Sequence, residues 1–215
     1  MTNNFVLLPG WTQTERSYKK LAAITPKEMS LVVVPYYQVI KNGKVDEFVS
    51  NFLKFLDDRH LGRINLVGHS LGGALALEFC LHHPQRIEQL FLIDSAGIYG
   101  QETAKELIGN WARNFISRGK TKAANSIKNL PDFLRRMRMY TKLGRYAVKA
   151  DFSNQAHRLV IPTTIFWGEK DVLTPLWQGQ KLHELIRGFR LIVLKDMDHD
   201  WMLHSPQAFW QHISS

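Results

Sequence analysis

Ile64-Asn-Leu-Val-Gly-His-Ser-Leu-Gly-Gly-Ala-Leu-Ala76 is the stretch on which the fold turns. A short apolar run bounded by glycine reads as a buried strand, and the residues from Leu71 to His82 then carry apolar side chains at steps of three and four, the period of a helix. Between the two stands Gly68-x-Ser70-x-Gly72. A serine on so sharp a strand-to-helix turn is forced into a strained backbone conformation, and its neighbours must be small because strand and helix approach closely there. Gly68, Gly72 and Gly73 meet that need. The helix opening after Ser70 aims its N-terminus, roughly half a positive charge, at the space around the hydroxyl. Such a turn exposes a serine for nucleophilic chemistry, with the Leu71 backbone N–H beside it to receive a developing oxyanion.

Outward from this unit, short apolar runs recur at Phe5 to Leu8, Leu31 to Val34, Leu90 to Ile93, Thr163 to Trp167 and Leu191 to Leu194. Helix-period segments alternate with them, clearly over Val45 to Asp58 and more weakly over Trp177 to Arg187 and Pro206 to Ile213. The alternation predicts the α/β class: a mostly parallel six-stranded sheet with helices on both faces. It breaks between the fourth and fifth runs, where about seventy residues carry no strand signal. We expect a helical cap inserted at 97–157 of a core formed by 1–96 and 158–215. Its helices are expected over Glu102 to Arg118, Lys120 to Asn129 and Pro131 to Leu143, with a connector near Asp151 to His157. This insertion holds 12 Lys and Arg against 4 Asp and Glu, so +8 of the net +9 belongs to it.

A chain of 215 residues suits one such domain, able to bury roughly 70% of the surface its unfolded form exposes. With 45% hydrophobic and 22% charged residues it falls in the globular range. No run approaches the roughly 18 apolar residues of a membrane span, so no stable membrane insertion is expected. The opening Met1-Thr-Asn-Asn-Phe-Val-Leu-Leu has no basic segment and too short an apolar run for a signal peptide, which makes the cytoplasm the expected address. Cys80 is the single cysteine; it excludes an intramolecular disulfide, offers no metal-ligand spacing and reads as a core filler. Neither an internal repeat nor a nucleic-acid-binding motif accompanies the basic charge, so nucleic acid is not an expected partner.

A hydroxyl is a poor nucleophile unless a base takes its proton and a third group orients that base. After the fifth run comes Trp167-Gly-Glu-Lys-Asp171-Val-Leu-Thr-Pro175, and after the sixth Lys195-Asp-Met-Asp-His199-Asp-Trp-Met. Each places its residue on a loop beyond the carboxyl end of a buried strand, the edge where parallel sheets form their sites. Asp94, closing the fourth run, is the alternative acid, and His204 the spare histidine at this edge. His69 belongs to the turn itself, as a packing or hydrogen-bonding residue.

Taken in the order Ser, Asp, His, the segments Gly68-His-Ser-Leu-Gly-Gly, Gly168-Glu-Lys-Asp-Val-Leu-Thr-Pro and Asp198-His-Asp-Trp resemble the nucleophile, acid and histidine segments of the α/β-hydrolase superfamily, serine esterases and lipases included. The likeness runs the length of the chain outside the cap. It implies that Leu8-Pro9-Gly10-Trp11 is the first-strand loop, with Trp11 supplying the second oxyanion N–H. Three departures stand out. Pro9 occupies a place where the family often has a bracing histidine, the family's two leading strands have no counterpart, and Asp198 stands where glycine commonly precedes the histidine, close enough in sequence to act on His199.

The function implied is hydrolysis of a carboxylic ester through an acyl-enzyme, with Ser70 as nucleophile, His199 as base and Asp171 as its orienting acid, needing neither metal nor organic cofactor. The expected partner is a small-molecule ester with an apolar portion. An anionic portion is the alternative to a merely solvated reading of the basic insertion, where Arg135-Arg-Met-Arg-Met-Tyr-Thr-Lys runs at helical spacing. Trp111, Phe115, Phe133, Met137, Met139 and Tyr140 either line a pocket over Ser70 or pack the cap down. The same triad also serves carbon–carbon and amide hydrolases, and the fold also serves binding proteins without turnover.

Overall fold

A computed structural model describes residues 3–40, 44–98, 134–186 and 190–213. Six strands form one sheet: β1 (Asn3–Leu8), β2 (Met29–Val33), β3 (Ile64–His69), β4 (Ile87–Ile93), β5 (Thr163–Gly168) and β6 (Arg190–Leu194). Their order is β2-β1-β3-β4-β5-β6, and every pairing is parallel. The chain winds outward from β1 to β2, then returns to place β3 on the other side of β1. Strand order therefore reverses between β1 and β3, where ligands of open parallel sheets gather.

All six strands overlap the apolar runs; β3 and β5 are buried along their whole length and need apolar residues in succession, whereas the edge strands β2 and β6 are only partly buried. Alternate side chains then feed two cores. Val6, Leu8, Leu66, Leu92, Ile165 and Trp167 face one side, where they meet α3 (Phe48–Asp57), α4 (Leu71–His82) and the later helices α5 (Met137–Lys149) and α6 (Leu176–Leu185). Phe5, Leu7, Val67, Phe91, Ile93 and Phe166 face the other, packing with Tyr18, with Leu21 of α1 (Lys19–Ala23), with Trp201 and Met202 of α7 (Trp201–His204) and with Phe209 and Trp210 of α8 (Pro206–Ile213). A short helix α2 (Tyr36–Val39) follows β2. Cys80 is buried in the first core, and burial pushes its thiol up.

Two expectations for the insertion, Glu102 to Arg118 and Lys120 to Asn129, lie outside the described residues, as do Trp111, Phe115 and Phe133. The third holds in part: Leu134 and Arg135 are helical, Arg136 is a turn, and a helix then runs over Met137–Lys149, past the expected end at Leu143, while 131–133 lie outside the described residues. Met139, Tyr140 and Leu143 face inward, so the apolar face was legible while the C-terminal end was not. Met137 is exposed and Met139 and Tyr140 are buried. Gly97 and Asp151 form a parallel bridge, so the chain leaves the sheet and returns to it at adjacent points.

Candidate active site

Five loops leave the carboxyl edge of the sheet together: Pro9–Trp11 after β1, Ser70 after β3, Asp94 after β4, Asp171 after β5 and His199 after β6. Ser70 stands between β3 and α4 at φ 54° and ψ −119°, a strained conformation for a residue with a Cβ. The Ser70 N–H donates to Ile93 O at 2.9 Å, and Ser70 O accepts from the N–H groups of Gly73 and Ala96. Close approach explains the flanking glycines. A Cβ on Gly72 would lie 2.0 Å from Leu8 O, and one on Gly68 2.6 Å from Gly72 O.

The structure brings Ser70, His199 and Asp171 into one hydrogen-bonded line. His199 Nδ1 lies 2.7 Å from Asp171 Oδ2, and His199 Nε2 lies 2.9 Å from Ser70 Oγ. An ionised carboxylate only accepts, so Nδ1 carries the proton and Nε2 is left to accept from the serine hydroxyl. Asp171 is 5% exposed and is held from behind: its Oδ1 accepts from the N–H groups of Leu173 and Thr174 at 2.8 and 3.0 Å, and its Oδ2 from the Thr174 hydroxyl at 2.7 Å. Burial alone would raise this carboxyl, but the electrostatic pull of the His199 ring and the hydrogen bonds from His199 and Thr174 outweigh it and hold the group below its ordinary value.

Asp94 is fully buried at φ 44°, with Oδ1 accepting from Gly168 N–H at 2.7 Å. Burial first, then the neighbouring Asp171 charge, drives its carboxyl well above the usual range. It lies behind the acid, and it is Asp171 that meets the histidine. His204 is paired elsewhere, its Nε2 2.7 Å from Asp198 Oδ1. Asp198 also accepts from Asp200 N–H, so its carboxylate engages His204 and the local backbone.

Leu71 is buried and opens α4 directly after the serine, where the N–H groups of a first helical turn have no partner within the helix. Trp11 is half-buried; its indole N–H donates to Tyr140 O of α5 at 2.7 Å, and a Cβ on Gly144 would press to 3.2 Å from that ring. Sequence reasoning did not single out Gln13, Tyr18, Tyr36 or Thr174. Gln13 Oε1 and Tyr18 OH both accept from Gly10 N–H at 3.0 Å, and Tyr36 OH donates to Pro9 O. These are polar residues of loops and short helices: Gln13 and Thr174 bond Gly10 and Asp171 three residues away, Tyr18 and Tyr36 reach back 8 and 27 residues, and no spacing in the chain announces them.

Known proteins agree with the fold. The dihydrolipoyllysine-residue acetyltransferase component of the acetoin cleaving system of Pseudomonas putida is 27% identical over 198 residues, 82% of this chain and 51% of that protein. The pimeloyl-(acyl-carrier protein) methyl ester esterase of Neisseria meningitidis is 25% identical over 175 residues, 67% of this chain and 66% of that protein. The chain thus spans between about half and two thirds of the length of these curated relatives. Among solved structures, a putative lipase from Acinetobacter baumannii superposes with a TM-score of 0.80 at 18% identity, covering 99% of this chain and 82% of that one. An esterase from Exiguobacterium antarcticum does so with a TM-score of 0.76 at 19% identity, covering 99% and 90%. The profile of the alpha/beta hydrolase family matches residues 5–212, and the chain belongs to that family.

Proposed function

We propose that this chain is a serine hydrolase of carboxylic esters. The observation that carries the reading is the line from Ser70 Oγ to His199 Nε2 at 2.9 Å and from His199 Nδ1 to Asp171 Oδ2 at 2.7 Å, on a serine whose backbone is strained outward at the sheet edge. Ser70 attacks the ester carbonyl as His199 takes its proton, and Asp171 stabilises the imidazolium that results. The carbonyl oxygen becomes an oxyanion held by the backbone N–H groups of Trp11 and Leu71. His199 then returns the proton to the departing alcohol, leaving Ser70 acylated. Water, deprotonated by His199, releases the acid and restores the hydroxyl. These steps consume one water and call on no metal or organic cofactor.

The esterase among the relatives, named for a pimeloyl-(acyl-carrier protein) methyl ester, supports an ester as the bond; the substrate is read as a small molecule with an apolar acyl part. An anionic remote portion is favoured by one observation: Arg135, Arg138, Lys142, Arg145 and Lys149 are all exposed, at steps of three and four along α5 and its approach. The insertion, 97–157, serves as a cap that selects the substrate. No helix among the described residues is long and apolar enough to cross a membrane.

The test is hydrolysis of p-nitrophenyl esters of increasing acyl length by the wild type and by Ser70→Ala, with thermal melts of both. Ser70→Ala should melt like the wild type and lose about 10³-fold or more in turnover. Equal turnover by the two proteins would refute the Ser70 assignment. A folded wild type that turns over an amide or a 1,3-diketone but no ester would move the assignment to amide or carbon–carbon hydrolysis with the same residues.

A further inference from the structure

The Pro9–Trp11 loop lacks the family's bracing histidine, yet the structure holds it from several sides. Tyr36 OH donates to Pro9 O, and Gly10 N–H is shared between Tyr18 OH and Gln13 Oε1, each at 3.0 Å. Pro9 has no N–H and that of Gly10 is engaged inward, in keeping with the Trp11 N–H as the oxyanion donor that the family resemblance implies. Behind Gly10 the same two side chains reach His69, the residue that precedes the nucleophile. His69 Nδ1 lies 2.8 Å from Tyr18 OH and 3.0 Å from Gln13 Oε1.

His69 is 0% exposed, and its other nitrogen settles its tautomer. Nε2 lies 3.0 Å from the backbone carbonyl oxygen of His199, an atom that can only accept, so Nε2 carries a proton and donates it. In the neutral ring Nδ1 can only accept, so its partner is the Tyr18 hydroxyl, whose one proton is shared between Nδ1 and Gln13 Oε1, and the approach of Nδ1 to Gln13 Oε1 is a packing contact of two acceptors. Burial pushes the Tyr18 phenol up despite the Gly10 N–H, so Tyr18 keeps the proton it donates. A second link runs parallel to the first: Gln13 Nε2 donates to Asp200 Oδ1 at 2.9 Å, one residue past His199.

We propose that Gln13, Tyr18 and His69 are positioning residues, forming a buried brace that fixes the Pro9–Trp11 loop against the His199 loop. The proposal rests on the esterase reading above. The oxyanion donor and the general base act on atoms of one tetrahedral centre, so the separation of their loops must hold to a fraction of an ångström, and a 1 Å error can cost about 100-fold. A polar cluster kept only for stability would behave differently. Its loss would lower the melting temperature and leave kcat where it was.

The two histidine nitrogens can be removed separately. Asn at position 69 keeps an acceptor near Nδ1 for Tyr18 but is too short to reach His199 O, whereas Gln extends an amide N–H toward that carbonyl. His69→Asn should lower kcat about 10- to 100-fold with KM changed less than about threefold, and His69→Gln should recover at least about fivefold of that loss. Tyr18→Phe should lower kcat about tenfold. Combined with His69→Asn it should cost no more than His69→Asn alone, because both cut one chain of bonds. Unchanged kcat in folded His69→Asn, no rescue by Gln, or fully multiplicative losses would each overturn the brace. Should the His69 variants fail to fold, Tyr18→Phe decides alone, since it keeps the ring and removes only the hydroxyl.

An independent readout separates this proposal from the esterase reading. The His199 Nδ1–H, bonded to Asp171 at 2.7 Å, should give a far-downfield proton resonance in the wild type. If no ester is turned over, the esterase reading fails while the brace is still tested there. The resonance should persist in His69→Gln and broaden in His69→Asn, and an unchanged resonance in His69→Asn would overturn the brace.

Discussion

Two carboxyls lie buried behind His199, and their surroundings drive them in opposite directions. Asp171 is held low because the electrostatic pull of the His199 ring and the bonds from His199 and Thr174 outweigh its burial. Asp94 is held high by burial and by the charge of Asp171. The consequences for stability have opposite signs. Asp171, depressed in the fold, stabilises it above the unfolded value of about 3.9 and loses that contribution as pH falls through its lower folded value. Asp94, raised in the fold, costs nothing below about pH 4, and its penalty grows as pH climbs from there toward its folded value. Asn mimics a protonated Asp, keeping the acceptor for Gly168 N–H and gaining a fixed N–H. Asp94→Asn should therefore melt higher than the wild type, by a margin that widens between pH 4 and pH 8, and keep kcat within about threefold, whereas Asp171→Asn should lose about 10⁴-fold in kcat. Melting curves across that pH range, with ester turnover, check both. A large loss of activity in Asp94→Asn with little in Asp171→Asn would exchange their roles.

At the scale of elements, β3, α4 and the end of β1 meet too closely to admit a side chain. Gly72→Ala would drive a methyl to 2.0 Å from Leu8 O, a backbone atom that cannot give way. The expected loss is about 3 kcal/mol or more, read by urea denaturation. Gly62 is the control: an added Cβ there meets nothing within 4 Å, so Gly62→Ala should change stability by less than about 0.5 kcal/mol. Equal effects at both positions would mean that the elbow can relax. This packing was legible in the chain because Gly68, Gly72 and Gly73 mark where side chains are not tolerated. The inner strands were legible for a related reason, since burial on both faces leaves unbroken apolar runs, and the partly buried edge strands β2 and β6 kept enough of such a run to be read. Helices α1, α2 and α7 were not, being four or five residues long and too short for a periodic signal. For α5 the far end was missed, because its last turns contain Gly144 and Val148, both weak helix formers. Ser70, Asp171 and His199 each follow a strand closely enough to be read. The Tyr18–His69 contact spans 51 residues of sequence and the His69–His199 contact 130, so the brace emerges only when the sheet edge assembles.

At the scale of the whole molecule, charge is distributed as unevenly as chemistry. Of the net +9, +8 falls between Gly97 and His157. The described part of this excess is ordered: Met139, Tyr140 and Leu143 of α5 turn inward, while Arg135, Arg138, Lys142, Arg145 and Lys149 stay exposed, none of them paired with a carboxylate among the described residues. Because Tyr140 O holds the Trp11 indole, this cationic helix is fastened to the loop proposed to bind the oxyanion. A positive field beside a site raises the encounter rate of anionic substrates and decays with added salt. An ester bearing a free carboxylate on its remote end should therefore exceed its uncharged isostere in kcat/KM at about 0.01 M ionic strength, and should lose that advantage near about 1 M, as the screening length falls from about 30 Å to about 3 Å. Arg138→Gln combined with Lys142→Gln should shrink the advantage at low salt without altering kcat for the uncharged ester. An advantage that survives about 1 M salt would instead point to a close, desolvated ion pair, which screening of the bulk solvent reaches much less. No advantage at any salt would leave the basic face of α5 as a solvated surface with no part in choosing the substrate.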